Sequence, residues 1–220
     1  TREFEERFLK VGLGYRVLGG TKFYERAEVK DAVAYLRIIN QKYDDLALER
    51  VIGSPRRGIG ESTLNQLYSF GSQNKLCLED SIKKNLETNS LKPKMKTSLT
   101  QLTKLIDKWR LDSNTKKHYD LLKTVLDESG YSEMLKNKND IENENRLENI
   151  KELLRAMHDY DNLQSFLEHV ALATSIDKEW EGEKINLMTM HAAKGLEFDV
   201  VFLPGWEEGL FPHQKSLEEK

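Results

Sequence analysis

Ile185 Asn186 Leu187 Met188 Thr189 Met190 His191 Ala192 Ala193 Lys194 Gly195 Leu196 Glu197 Phe198 Asp199 Val200 Val201 Phe202 Leu203 sets two short apolar runs around a polar, glycine-bearing segment. Short apolar runs bounded by turn residues read as strands, here Ile185 to Met190 and Val200 to Leu203. Near-continuous apolar strands of this kind suit a sheet covered on both faces. The front of the chain carries a matching pattern. A helix is expected from Arg2 to Val11, stopped by Gly12 and Gly14, then a strand from Tyr15 to Leu18, a turn at Gly19 Gly20, and a helix from Glu25 to Asn40. Both flanks thus belong to one α/β layer.

Between the flanks the punctuation disappears. From Ser72 to Glu181 there is one glycine, Gly130, and one proline, Pro93. Apolar residues recur there at helical spacing: Leu99, Leu102, Leu105, Ile106 and Trp109; Leu121, Leu122, Val125 and Leu126; Leu147, Ile150, Leu153, Leu154 and Met157; Phe166, Leu167 and Val170. The fold class expected is mostly α, a helical bundle inserted into part of an α/β parallel-sheet domain. Strands without neighbours would leave unpaired edges, so the chain reads as an excerpt of something longer.

Composition narrows the class. With 32% charged residues and 38% hydrophobic ones in 220, no run is apolar enough to span a membrane, and the start lacks a signal-peptide layout. One cysteine, Cys77, makes no internal disulfide, and no dense Cys/His cluster suggests a metal, so the cytoplasm is the expected compartment. The net charge of −3 hides opposite blocks: residues 75–123 carry twelve Lys/Arg against six Asp/Glu, and residues 124–183 six against fifteen. Such asymmetry either steers a polyanion to one face or reflects two solvated faces of opposite sign.

Two segments could carry function. In Ser54 Pro55 Arg56 Arg57 Gly58 Ile59 Gly60 Glu61 Ser62 Thr63 Leu64, two glycines flank one apolar residue between helices, as in a helix-hairpin-helix. Glycine lets a phosphate approach the backbone, the amides opening the second helix favour negative charge, and Arg56 and Arg57 add attraction that ignores base sequence. An ordinary tight turn with solvated arginines fits the same string. The second segment leaves the end of a strand, where open α/β sheets bind ligands. There His191 could donate to a phosphate, Lys194 neutralise one, and Glu197 accept a ribose hydroxyl; singly, each is equally compatible with a structural or solvated role. A Gly-x-x-x-x-Gly-Lys-Ser/Thr phosphate loop is missing, as are an acidic pair after an apolar strand and a hydrolase nucleophile motif. The chain alone is not expected to hydrolyse a nucleotide, and neither catalytic nor metal-binding residues are assigned.

The stretch from Tyr15 to Asp31, including Gly19 Gly20 Thr21 Lys22 Phe23 Tyr24 Glu25 Arg26, the Arg56 to Gly60 hairpin and Thr189 to Phe198 resemble, in this order, the C-terminal half of UvrD/Rep/PcrA-type superfamily 1A DNA helicases. Glu207 Glu208 Gly209 Leu210 Phe211 Pro212 fits the segment that follows in that family, and the similarity runs through the whole chain. The resemblance implies that residues 1–42 and 181–220 are parts of the second RecA-like motor domain, 2A, and that residues 43–180 are its mobile helical insertion, 2B. It implies hinges near Gln41 to Asp45 and Lys178 to Lys184.

Carried over by position, Gly195, Glu197 and Lys194 are implied at the nucleotide, Glu197 on the ribose. Thr189 and His191 are implied on the DNA strand, Phe23 and Tyr24 near single-stranded bases, and Arg56, Arg57, Gly58, Ile59 and Gly60 on duplex DNA. The implied activity is that of an ATP-dependent 3′ to 5′ DNA helicase of repair or replication, with ATP and Mg2+ used by the parent protein and none held tightly by this piece. The expected partners are a single-strand/duplex DNA junction and other repair proteins, with no membrane. The alternative is an autonomous DNA- or protein-docking module of a repair factor without motor activity.

Overall fold

The computed structural model describes residues 2–88, 91–137, 141–179 and 182–206. Helix α1 (Arg2–Lys10) has acids in its first turn and Arg7 and Lys10 in its last, the order the helix dipole favours. Gly12, with φ of 68°, lets the chain leave it toward strand β1 (Tyr15–Leu18). A single 3-10 turn, Phe23–Glu25, precedes α2 (Ala27–Asn40). Helix α3 (Asp45–Gly53) is capped by Asp44, whose carboxylate accepts from the Ala47 amide at 3.1 Å. Helix α4 (Glu61–Asn74) ends on Lys75 in the left-handed region, φ 55°. Then follow α5 (Leu78–Glu87), α6 (Pro93–Asp112), α7 (His118–Glu128), α8 (Tyr131–Lys136), α9 (Ile141–Met157), α10 (Leu163–Glu179) and β2 (Ile185–Met188).

Helix α2 is the axis of the helical body. Val29, Ala32, Tyr35, Leu36 and Ile38 are buried around much of its circumference, and it packs on α3, α6, α7, α9 and α10. Tyr35 meets Trp109 of α6 edge-on at 5.8 Å and Tyr131 of α8 at 6.2 Å. Fully burying side chains of this size contributes about 1.5–3 kcal/mol each. The packing therefore groups α2 with the helices, whereas residues 1–42 were expected to stand together with the strands. A helix apolar on nearly every side needs partners all round, and only the bundle supplies them.

β1 and β2 pair in parallel, Tyr15 opposite Ile185 through Leu18 opposite Met188, with the Ile185 amide donating to Gly14 O at 2.8 Å. The two flanks, far apart in sequence, thus share one sheet as expected. The expected strand Val200 to Leu203 does not form. It is irregular and open to solvent, Val200 at 70% and Phe202 at 86%, and has no neighbouring strand among the described residues to complete its ladder. No helix among the described residues is long and apolar enough to cross a membrane. The segment Glu207 to Pro212 and part of the expected second hinge lie outside the described residues.

Candidate functional site

The loop after β2 is built on the carboxyl end of the sheet. Thr189 opens it, its hydroxyl accepting from the Ala192 amide at 3.2 Å and its carbonyl from the Ala193 amide at 3.1 Å. Two further turns follow, Lys194 N to His191 O at 3.3 Å and Leu196 N to Ala193 O at 3.0 Å. Gly195 takes φ of 81°, a conformation a side chain would strain, although a Cβ there would meet nothing within 4 Å. On the β1 side, Gly19 has φ of 75°, and a Cβ on it would stand 3.0 Å from Ala192 Cβ. The Gly19 Gly20 turn and this loop therefore nest together at one edge.

Thr189, His191, Lys194, Gly195 and Glu197 all lie on this loop and all are exposed. The His191, Lys194 and Glu197 side chains make no hydrogen bond or ion pair with another described residue. One cation, one imidazole and one carboxylate are thus free to meet a phosphate and a sugar. No group of three or more potential metal ligands occurs among the described residues.

The hairpin between α3 and α4 is held from beneath. Asp31 of α2 accepts from Arg50 Nε at 2.6 Å, Ser54 Oγ at 3.0 Å and the Tyr131 hydroxyl at 2.8 Å, while the Tyr35 hydroxyl donates to Ser54 O at 2.8 Å. The Ser54–Pro55 peptide is cis, and Gly58 has φ of 73°. Ile59 is half-buried against the core, and Gly60 caps α4 without a side-chain cap, leaving the first amides of α4 without intrahelical partners. Arg56 is exposed and unpaired among the described residues.

Arg57 differs from its neighbour. Its guanidinium turns inward and donates to Val51 O, to Pro55 O at 2.9 Å, to the Tyr35 hydroxyl at 3.0 Å and to Ser129 O at 3.5 Å. Expected on duplex phosphate, it is instead the pin of the hairpin, because the surrounding carbonyls would otherwise lack donors. The Asp31, Tyr35 and Tyr131 network beneath it has no counterpart among the residues singled out from sequence. Its one legible trace is two polar groups four residues apart, Asp31 and Tyr35, on an otherwise apolar helix.

Phe23 and Tyr24 also depart from expectation. They are 1% and 6% exposed, set edge-on to one another at 5.1 Å, with Arg26 over the Phe23 ring at 5.6 Å and His169 against Tyr24 at 5.7 Å. The Tyr24 hydroxyl donates to Glu6 at 3.0 Å, and burial first, then the Glu6 charge, keeps it protonated. Neither ring has a free face for a base. Both aromatics seal the seam between the strand layer and the helical body.

A helical body with a glycine hairpin, carried between two strands whose ends present a basic and acidic loop, defines a class that comparison with known proteins identifies. The chain belongs to the UvrD-like helicase C-terminal domain family, whose model matches residues 1–220. Among individual relatives, DNA helicase II of Rickettsia typhi is 44% identical over 221 residues, covering 100% of this chain and 34% of the relative. The ATP-dependent DNA helicase PcrA of Bacillus subtilis is 39% identical over 233 residues, covering 100% and 31%. PcrA of Staphylococcus aureus is 36% identical over 226 residues, covering 99% and 31%. The chain thus spans about a third of the length of the curated relatives it matches.

Proposed function

We propose that this chain is the helical 2B body and the adjoining 2A segments of an ATP-dependent 3′ to 5′ DNA helicase. In this reading α1, β1, β2 and the loop after β2 belong to 2A, a RecA-like domain, and α2 to α10 form 2B. The observation that carries it is the parallel pairing of β1 with β2, which sets the exposed His191, Lys194 and Glu197 at the carboxyl edge of a sheet shared by both flanks. On that edge Glu197 accepts the nucleotide ribose, Lys194 neutralises phosphate charge, Gly195 allows close approach, and Thr189 and His191 face the DNA strand. On the body, Arg56, Gly58, Ile59 and Gly60 meet duplex backbone, with Arg57 holding their shape from inside. ATP and Mg2+ act in the parent protein, where hydrolysis supplies the free energy for movement; this piece contributes one wall of the cleft and the grip on DNA.

ATP turnover with and without DNA tests this. The isolated 220-residue chain is expected to stay at background, while the parent polypeptide turns over and loses affinity for ATP, read as a raised KM, on Glu197→Gln. DNA-stimulated hydrolysis by the isolated chain would overturn the reading.

A further inference from the structure

The strand pair ends in two turns that face one another. Leu18 stands opposite Met188 in the last register pair of the parallel ladder, so Gly19 and Thr189 leave the sheet side by side. Gly19 holds φ of 75°, and a Cβ built on it would lie 3.0 Å from Ala192 Cβ, well inside the about 3.5–4.0 Å at which carbon atoms pack best. At Gly20 a Cβ would meet Val17 Cγ1 at an ordinary 3.7 Å. Of the two glycines, Gly19 is the one that Ala192 crowds.

The two sides of this contact are not held equally. The front turn is tied at both ends. The β1 ladder enters it, and beyond it the Phe23 amide donates to Glu5 at 3.1 Å, the Tyr24 hydroxyl to Glu6 at 3.0 Å and the Arg26 guanidinium to Asn149 of α9. On the other side, the amides of Ala192, Ala193, Lys194 and Leu196 bond only back into their own loop among the described residues. These bonds brace the loop as a unit but do not set where the unit sits against β1. Pushed together, the loop yields before the turn. The seat of the half-buried Ala192 on Gly19 therefore fixes the distance between them.

We propose that Ala192 is a positioning residue whose methyl, seated on Gly19, sets the stand of the His191 to Glu197 segment against the strand pair. The proposal rests on the reading of that loop as the nucleotide and DNA-strand site. Ala192 touches neither ligand in that reading and acts through its size. Because the loop is braced within itself, a displacement at Ala192 carries His191, Lys194 and Glu197 together. Losses at ATP and at DNA then arise jointly, whereas a change in a contacting group such as Glu197 falls on its own ligand.

The test is steady-state ATP turnover by the parent polypeptide, with ATP and a single-stranded oligonucleotide each varied. A misplacement of 1 Å can cost about a hundredfold, so the smaller shift forced by Ala192→Val is expected to raise both the KM for ATP and the oligonucleotide concentration at half-maximal stimulation by roughly three- to tenfold, with kcat at saturation within about twofold of wild type. Gly20→Ala should match wild type. Gly19→Ala should lose both affinities, and Gly19→Ala/Ala192→Gly, which clears the space that a Cβ needs, should regain much of them, leaving only the cost of the positive φ. Equal losses for Gly19→Ala with and without Ala192→Gly overturn the proposal, as does a fall in kcat with both affinities unchanged. Wild-type constants for Ala192→Val beside a raised KM for Glu197→Gln overturn the positioning role and leave the site standing. A wild-type KM for Glu197→Gln overturns the reading of the loop and the proposal with it.

Discussion

The Arg57 guanidinium donates to Val51 O, Pro55 O and the Tyr35 hydroxyl, so removing it strands several part-buried acceptors at once. Each buried acceptor left unpaired costs about 1–3 kcal/mol, and partial access of water reduces the sum. Arg57→Ala is therefore expected to lower stability by about 2 kcal/mol in urea unfolding, and to weaken duplex binding through a disordered hairpin while leaving its salt slope unchanged. Arg56→Ala is expected to behave in the opposite way, leaving stability within about 0.5 kcal/mol of wild type and lowering the salt slope by about 0.9. A reduced slope on Arg57→Ala with intact stability would return that residue to the DNA surface. Adjacent arginines in a glycine-rich turn look alike in sequence; only the carbonyls that surround one of them, contributed by α3 and the α7 terminus, separate their roles.

Among elements, α5 and α6 are joined to α2 by one buried polar knot. Glu79 receives both Arg110 Nη1 and Nη2 at 2.7 Å and Lys83 at 3.0 Å, and Arg110 also donates to Ile38 O at 2.7 Å. Burial alone would push the Glu79 carboxyl up, but the bonds from Arg110 and Lys83 outweigh it and hold the carboxyl below its usual range. Breaking a buried pair by removing one partner costs about 3–5 kcal/mol, because the other charge is left without compensation. Glu79→Ala should therefore lower the urea midpoint sharply, while the exposed Glu148→Ala, paired with Lys151 on one helix surface, should hardly move it; equal effects would mean the knot contributes no more than a surface pair. The helices themselves were legible from their apolar spacing, since the i, i+3, i+4 stripe of α6, Leu99 to Trp109, is what its packing requires. The packing of α2 was less so: proximity to a strand in sequence suggested the sheet, whereas Tyr35 meets Trp109 of α6 and Tyr131 of α8. Val200 to Leu203 has the composition of a strand but no ladder to join, and an apolar pattern specifies a strand only together with its neighbour. The loop from Thr189 to Glu197 was legible as a site because its residue types and its place after a strand coincide; the burial of Phe23 and Tyr24 was not, since aromatic rings serve a core and a base-stacking surface equally well.

At the scale of the whole molecule, the strand layer and the helical body meet in a polar seam. Arg2 of α1 bonds Glu6 at 2.9 Å and Glu152 of α9 at 3.2 Å, and Glu5 accepts from the Phe23 amide at 3.1 Å while its other oxygen has no partner. His169 of α10 closes the same seam, between the rings of Tyr24 at 5.7 Å and Tyr160 at 5.0 Å, and its Nε2 is likewise buried without a partner. Burial lowers the His169 pKa; Glu6 acts against the shift, and Lys10 and Arg2 reinforce it. The folded protein thus gives up the imidazole's proton more readily than the unfolded chain, whose histidine titrates near about pH 6.5. For a group whose folded pKa is depressed, the unfolded state binds more protons as pH falls, so this contribution to stability is complete above about pH 6.5 and is lost below it. Urea midpoints followed from about pH 7.5 to about 5.5 should fall more steeply for the wild type than for His169→Phe, with a single proton allowing a difference of at most about 1.4 kcal/mol per pH unit. Parallel pH curves for the two would place the imidazole in water in solution, and with it the seam that sets the strand layer against the helical body.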